Sequence, residues 1–317
     1  MPRLRGRPLF VLLAALFPVD VDEWVAPARA DEPLFGFVYT TDLLPKGEFE
    51  IEQWLTWRRQ KAHGSFNVWE HRTEFSYGAL DDLQLSLYAN YSQTEARQNA
   101  VDGTTTPPES FADFTVDDPN GRIRASHFIG VSAEVIYRLL SPYTDPIGLA
   151  FYFEPTIGRK LRDFEEKVIV QKNFFDDRLV LAGNITFEQE LRRLNGDPTA
   201  DPSEPESASH WDKESDVKLS LGASYRFASN WSIGAEFVHE REFSRLIFWN
   251  GNYATNSAFY LGPTLHYGGE RFFFTLTLLQ QMPWGQDYAN AGVMKGGVNY
   301  ADDFEKYRMR LKVGVVF

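Results

Sequence analysis

Tyr307-Arg308-Met309-Arg310-Leu311-Lys312-Val313-Gly314-Val315-Val316-Phe317 ends the chain. In an extended strand successive side chains point to opposite faces. Tyr307, Met309, Leu311, Val313, Val315 and Phe317 therefore share one face, which is wholly apolar or aromatic. Lys306, Arg308, Arg310, Lys312, Gly314 and Val316 share the other, which carries four cations. A strand with grease on one side and charge on the other fits a sheet with lipid outside and a wet interior.

The same alternation recurs along the chain. Twelve strands are predicted, at Gly47–Arg59, Asn67–Leu80, Leu83–Gln93, Ile123–Leu140, Ile147–Gly158 and Arg162–Phe174, then Arg178–Glu190, Asp216–Phe227, Trp231–Arg241, Asn256–Tyr267, Arg271–Gln281 and Phe304–Phe317. Within them Leu83, Leu85, Leu87, Ala89 and Tyr91 oppose Gln84, Ser86, Tyr88 and Asn90, and Leu219, Leu221, Ala223 and Tyr225 oppose Lys218, Ser220, Gly222 and Ser224. A soluble sandwich shows alternation too, but its polar face meets bulk water and rarely sets Gly and Ser beside charged residues. Tight turns such as Asp81-Asp82, Asp176-Asp177 and Ala228-Ser229-Asn230 alternate with long connections at Thr94–Arg122, Leu191–Ser215 and Met282–Asp303. Short turns at one end and long loops at the other are the rhythm of an outer-membrane barrel. The expected fold is all-β, a closed antiparallel up-and-down transmembrane β-barrel of about 12 strands, because an open edge in hydrocarbon leaves backbone groups unpaired.

Residues 1–30 read as an export signal: Arg3, Arg5 and Arg7 precede the apolar run Leu9–Phe17, and Ala28-Arg29-Ala30 supplies small residues for cleavage. Residues 31–317 then form a single barrel domain. No other stretch approaches the roughly 20 apolar residues that a spanning helix needs. The absence of cysteine excludes disulfides and thiolate metal sites. A formal net charge of -12 argues against nucleic acid as a partner. The 26 Phe, 14 Tyr and 8 Trp suit interfacial aromatic girdles.

The polar parity holds the candidate site. Glu48, Glu50 and Glu52 on the first strand and Lys306, Arg308, Arg310 and Lys312 on the last are predicted to line the lumen and to face each other across the closing seam, with Glu70, Arg72 and Glu74 extending the network. Opposite charges there either register the seam structurally or create a transverse field that selects solutes. Tyr88, Tyr152, Trp211, Trp284 and Tyr288 are candidates for stacking a ligand, and more simply girdle or filling residues. Asp117-Asp118 and Asp302-Asp303 could offer oxygen to a hard cation, though paired loop carboxylates are usually just solvated. His71, His127 and His239 fall on the lipid-facing parity, while Ser126 and Ser132 point to the other side of their strand. A lipid hydrolase would need a Ser–His pair within hydrogen-bond reach. Gly-rich phosphate loops, Gly-x-Ser-x-Gly and His-Glu-x-x-His are absent.

Phe35-Gly36-Phe37-Val38-Tyr39-Thr40-Thr41-Asp42, Leu44-Pro45-Lys46-Gly47 and Glu50-Ile51-Glu52-Gln53-Trp54, with the hairpin Glu74-Phe75-Ser76-Tyr77-Gly78 through Leu87-Tyr88, resemble a family of proteobacterial outer-membrane barrels of unknown function. That family is distantly similar to transporter barrels linked to aromatic-compound degradation. The terminal Phe317 resembles the signal that hands such barrels to the barrel-assembly machinery. The resemblance implies location and architecture and carries no catalytic residues. The expected function is a narrow channel or transporter for small charged solutes in the cell outer membrane, a non-enzyme without a cofactor or metal. Outer-membrane lipid, lipopolysaccharide and the assembly machinery are the expected partners. The alternatives are a closed structural or surface-interaction barrel working through its loops and, behind it, a lipid-modifying enzyme.

Overall fold

The computed structural model describes residues 33–108, 121–195, 201, 203, 207–246, 253–287, 301 and 304–317. The expected export signal, Asp117-Asp118, Tyr288 and Asp302-Asp303 lie outside the described residues. The strands are β1 (Phe49–Arg59), β2 (Ser65–Leu80), β3 (Leu83–Arg97), β4 (Arg122–Leu140), β5 (Gly148–Ile157), β6 (Leu161–Phe174), β7 (Leu179–Leu194), β8 (His210–Ala228), β9 (Trp231–Phe243), β10 (Ala254–Gly268), β11 (Phe272–Gln281), β12 (Gln286–Asp287) and β13 (Tyr307–Val316).

Twelve long strands form one antiparallel sheet in chain order, and the sheet closes: β11 pairs with both β10 and β13, and β13 pairs with β1. The two-residue β12 adds to β10 at Asn256 and Ser257. The twelve strands read from alternation coincide with these. The largest difference is β8, which starts at His210 because Trp211–Ser215 pair in register with Gln189–Arg193 of β7.

Parity sorts the two surfaces. Leu87, Val131 and Ile233 are 63%, 55% and 53% exposed on the outside, whereas Ser86, Glu134, Thr186 and Thr275 are buried inside. Register shifts interrupt simple parity in several strands, and one in β4 moves a candidate residue. In β4 the ladder to β3 shifts between Asn90↔Gly130 and Tyr91↔Phe128, so Ile129 is an extra residue. A bulge of one residue reverses the facing of everything before it. Phe128 is therefore exposed, and Ile123 is packed inside against Phe66, Val68 and Ala96. His127 opposes the buried Ser92 and leaves the lipid-facing parity expected for it.

Two prolines sit inside strands, which a continuous ladder forbids because proline has no N–H. The structure places each where the ladder on one side lapses. Pro155 falls between Ser132↔Thr156 and Val135↔Phe153 of the β4–β5 pair, and Pro263 between Leu261↔Gln280 and Thr264↔Thr277 of β10–β11. At the second lapse Gly262 lets the strands approach: a Cβ there would lie 1.8 Å from the Leu278 carbonyl oxygen. Backbone cannot yield as a side chain can, so Gly262→Val is expected to prevent β10–β11 pairing. The checking measurement is the heat-dependent gel shift of the refolded protein in detergent; a wild-type yield of the compact band would contradict this account of closure.

Candidate functional site: a lumen crossed by a strap

The chain does not enter β1 directly. Residues 33–44 run through the barrel interior as a strap without strand pairing, and Phe35, Val38, Thr41, Leu43 and Leu44 on it are buried. An unpaired backbone inside a protein must find polar partners, and inward-facing side chains supply them. Glu236 of β9 accepts the N–H groups of Gly36 at 2.8 Å and Phe37 at 2.7 Å. Arg310 of β13 donates to the Gly36 carbonyl at 3.0 Å. Asn184 of β7 makes both bonds to Tyr39, accepting its N–H at 2.7 Å and donating to its carbonyl at 2.9 Å. Gln171 of β6 accepts from the Thr41 N–H at 2.6 Å, and Gln84 of β3 from the Leu44 N–H at 2.9 Å.

These partners come from five walls, so the strap spans the bore rather than following one side. Glu236, Asn184, Gln171 and Gln84 lie in the halves of their strands nearer the short turns. Glycines make room for it. A Cβ on Gly222 of β8 would meet the Phe35 ring at 2.7 Å, and one on Gly36 would meet Thr277 of β11 at 2.7 Å. Tyr39 fills the middle. Its ring is 5.1 Å from Tyr152 and 6.4 Å from Trp54, and Lys167 lies over it at 4.4 Å.

On the turn side of the strap lies a cavity of about 280 Å³, lined in part by Leu34, Asp42, Tyr143 and His266. On its loop side is a charged chamber of about 240 Å³, floored by Phe37 and Tyr39. A smaller space of about 50 Å³ beside the strap is lined by Glu50, Glu52, Glu74, Glu134 and Lys312. Glu52 sits directly opposite Glu74, and the Tyr88 hydroxyl lies 2.8 Å from Glu74 and 2.6 Å from Glu134, donating to one at a time. Tyr88 and Tyr152 are thus buried among carboxylates, whereas Trp211 and Trp284 are 38% and 56% exposed.

The seam corrects one expectation. The acidic row of β1 does not face the basic row of β13, because Glu50 pairs with Val316 and Glu52 with Gly314. Lys312, Arg310 and Arg308 stand level with Trp54, Thr56 and Arg58 instead. The cations begin five residues before the chain end, and antiparallel pairing counts them up the strand from that end. Glu48, half-buried, precedes β1 near the turns, and Lys306 precedes β13, its N–H bonded to the Gln60 carbonyl at 2.6 Å.

The cations of β13 find other company. Lys312 lies 3.7 Å from the centre of the Trp54 ring; Arg310 is 4.2 Å from Phe37 and 5.0 Å from Trp54. Arg308 pairs with Glu240 of β9 at 2.7 Å and with Glu305, which also takes Arg58 at 2.9 Å. Arg58 reaches Glu70 at 3.2 Å, and Arg72 crosses to Glu154 of β5 at 2.6 Å while stacked on Tyr88 at 4.0 Å. The opposite wall holds Glu165 and Lys167 of β6, Glu188 and Glu190 of β7, and Asp216 and Lys218 of β8. Pairing within that wall joins Lys167 to Glu165 and Lys218 to Glu188. Alternation alone did not reveal the strap; the sign available was the nearly uncharged, aromatic run Pro33–Leu44 ahead of the first strand.

Of the histidines considered, His239 is joined to a serine. Its Nε2 lies 3.0 Å from Ser257 Oγ, its ring stacks on Phe259 at 4.2 Å, and Ser257 is only 3% exposed. Ser132 bonds Asn90 and Thr156, and Ser126 stands opposite Gln93 of β3.

Comparison with solved structures agrees on architecture. The COG4313 outer membrane channel from Pseudomonas putida F1 superposes with a TM-score of 0.52 at 10% identity, covering 87% of this chain and 98% of that one. The NanC porin gives 0.44 at 12% identity over 84% and 98%. At 10% identity the likeness to the COG4313 channel is one of fold alone. No curated protein matches the sequence. A family model covers residues 27–317, and the chain belongs to that family, a family of unknown function, DUF6662.

Proposed function

We propose that the protein is an outer-membrane channel for small charged solutes, narrowed by its own N-terminal strap, with the short turns in the periplasm and the long loops outside. The observation that carries this reading is the charged chamber of about 240 Å³ above a strap held by side-chain hydrogen bonds and packing, without strand pairing. A barrel built only as a scaffold gains nothing from burying so many charges around a void, since desolvation costs several kcal/mol per ion. None of the strap's contacts belongs to the strand ladder, and its hydrogen bonds contribute about 1 kcal/mol each, so displacing it leaves the sheet closed.

The outer surface supports membrane insertion. On β1 and β2 the cross-strand pairs Phe49–Tyr77 and Trp57–Trp69 stack at 4.5 and 5.3 Å, with Ile51 and Leu55 between them. Eight residues of strand span roughly 26 Å, or about 20 Å in height at a tilt near 40°, close to the apolar band of such barrels. Lipid and lipopolysaccharide would meet this belt. Phe317, 70% exposed and tied to Phe49 through its backbone N–H at 2.8 Å, is available as the assembly signal. Arg58, Glu70, Arg72, Arg308 and Arg310 line the passage in this reading, while Glu50, Glu52, Glu74 and Lys312 flank the strap.

Planar-bilayer recording tests the proposal. Deleting residues 33–44 is expected to raise single-channel conductance several-fold, and Tyr39→Ala to raise it less. Glu236→Ala, which removes two acceptors worth roughly 2 kcal/mol together, is expected to add brief wide openings to an otherwise narrow trace. Absence of conductance in the wild type and the deletion alike would refute the channel.

One observation favours a second reading. The His239–Ser257 contact is the pairing that a lipid-acyl hydrolase at the membrane rim requires. Against it, Ser257 is buried, and no carboxylate bonds the second nitrogen of His239 among the described residues. A fluorophosphonate probe separates the two. The channel reading expects no labelling that Ser257→Ala abolishes.

A further inference from the structure

Two ion pairs run as chords across the chamber. Arg72–Glu154 joins β2 to β5, and Arg308–Glu240 joins β13 to β9. Each spans three steps around the ring, so they flank the space between the seam and the wall opposite it. In a ring of twelve, β13, β1 and β2 stand across from β6, β7 and β8.

Those two walls carry opposite charge. On the seam side the chamber is lined by four arginines, Arg58, Arg72, Arg308 and Arg310, against one carboxylate, Glu70. From β6 to β9 it is lined by six carboxylates against two lysines, Lys167 and Lys218, with Arg192 of β7 paired to Glu190 beside them. The totals nearly cancel while their positions do not. Arg310, half-buried, is the end of this dipole that no ion pair compensates. No carboxylate lies within 4.0 Å of it among the described residues, and it spends hydrogen bonds on neutral groups, Thr56 Oγ1 at 2.9 Å and the Gly36 carbonyl at 3.0 Å. Arg72 likewise keeps a buried Nε–H without an acceptor.

We infer that the chamber is selective for small zwitterions, with the solute's anionic group toward Arg310 and Arg72 and its cationic group toward Glu188, Glu190 and Asp216. The inference rests on the channel reading above and names its substrate class. A lone anion attracted to the seam still faces the carboxylates across a chamber of about 240 Å³, and a lone cation faces the arginines. A solute bearing both charges is favoured at both walls, and in a confined, poorly screened space that preference is large. The anionic group also competes with the Gly36 carbonyl for Arg310, so binding and loosening of the strap share one residue.

Uptake of radiolabelled solutes into proteoliposomes provides the test, using taurine as the zwitterion, isethionate as the anion, choline as the cation and glycerol as the neutral control. Relative to glycerol, taurine uptake is expected to exceed both ions by about tenfold, the scale on which focused fields alter local concentration. Arg310→Gln is expected to lower taurine and raise choline; Glu190→Gln is expected to lower taurine and raise isethionate. Glycerol uptake at the wild-type rate shows that each variant is folded, and the two variants probe opposite walls, so failure of one leaves the other decisive. Taurine uptake no greater than that of both ions, or a uniform change for all solutes in both variants, would overturn the inference while leaving the channel intact. No glycerol uptake by the wild type or by the protein lacking residues 33–44 would instead remove the channel reading itself.

Discussion

Every backbone N–H and C=O in this sheet needs a partner, and twelve antiparallel strands supply them all only by closing on themselves. Closure is made by β11 reaching both β10 and β13, and by β13 reaching β1. The remaining features fit around that demand. Pro155 and Pro263 occur only where the ladder lapses, and Gly262 lets two strands come together at one of those lapses. The bulge at Ile129 turns the loop end of β4 so that Ile123 packs inward.

The strap meets the same demand by other means. It has no strand partner, so Glu236, Asn184, Gln171 and Gln84 stand in for a ladder, each aimed inward from a different wall. Bonds of this type are directional and individually weak. They fix the register of the segment against the barrel without committing it there, as a full edge-to-edge pairing would. Aromatic packing around Tyr39 and the seat of Phe35 against Gly222 supply the apolar part of the fit.

Charge inside the barrel is arranged on two scales. Locally, carboxylates and cations pair within a wall, as Lys218 does with Glu188, or over aromatic rings, as Lys312 does with Trp54. Across the bore, the seam is basic and the facing wall acidic. Local pairing keeps the burial of each ion tolerable, while the division between walls sets a field across the bore.

Period-two alternation was sufficient to read the twelve strands, most of their facing and their closure, because one side of each strand is apolar and the other polar; Tyr307–Phe317 shows this without any fold in hand. The polar parity also singled out Glu50, Glu52, Arg308, Arg310 and Lys312 as a group. Their neighbours were another matter. Whether Glu52 lies beside Lys312 or Gly314 depends on register, and the facing of His127 depends on one bulged residue; neither changes composition or period. The path of residues 33–44 and the opposition of β6–β8 to the seam arise from ring closure, which brings together residues more than a hundred positions apart, such as Arg310 and Gly36. Such contacts are set by the sheet's curvature and shear, and those belong to the closed assembly of strands, not to any strand's own sequence.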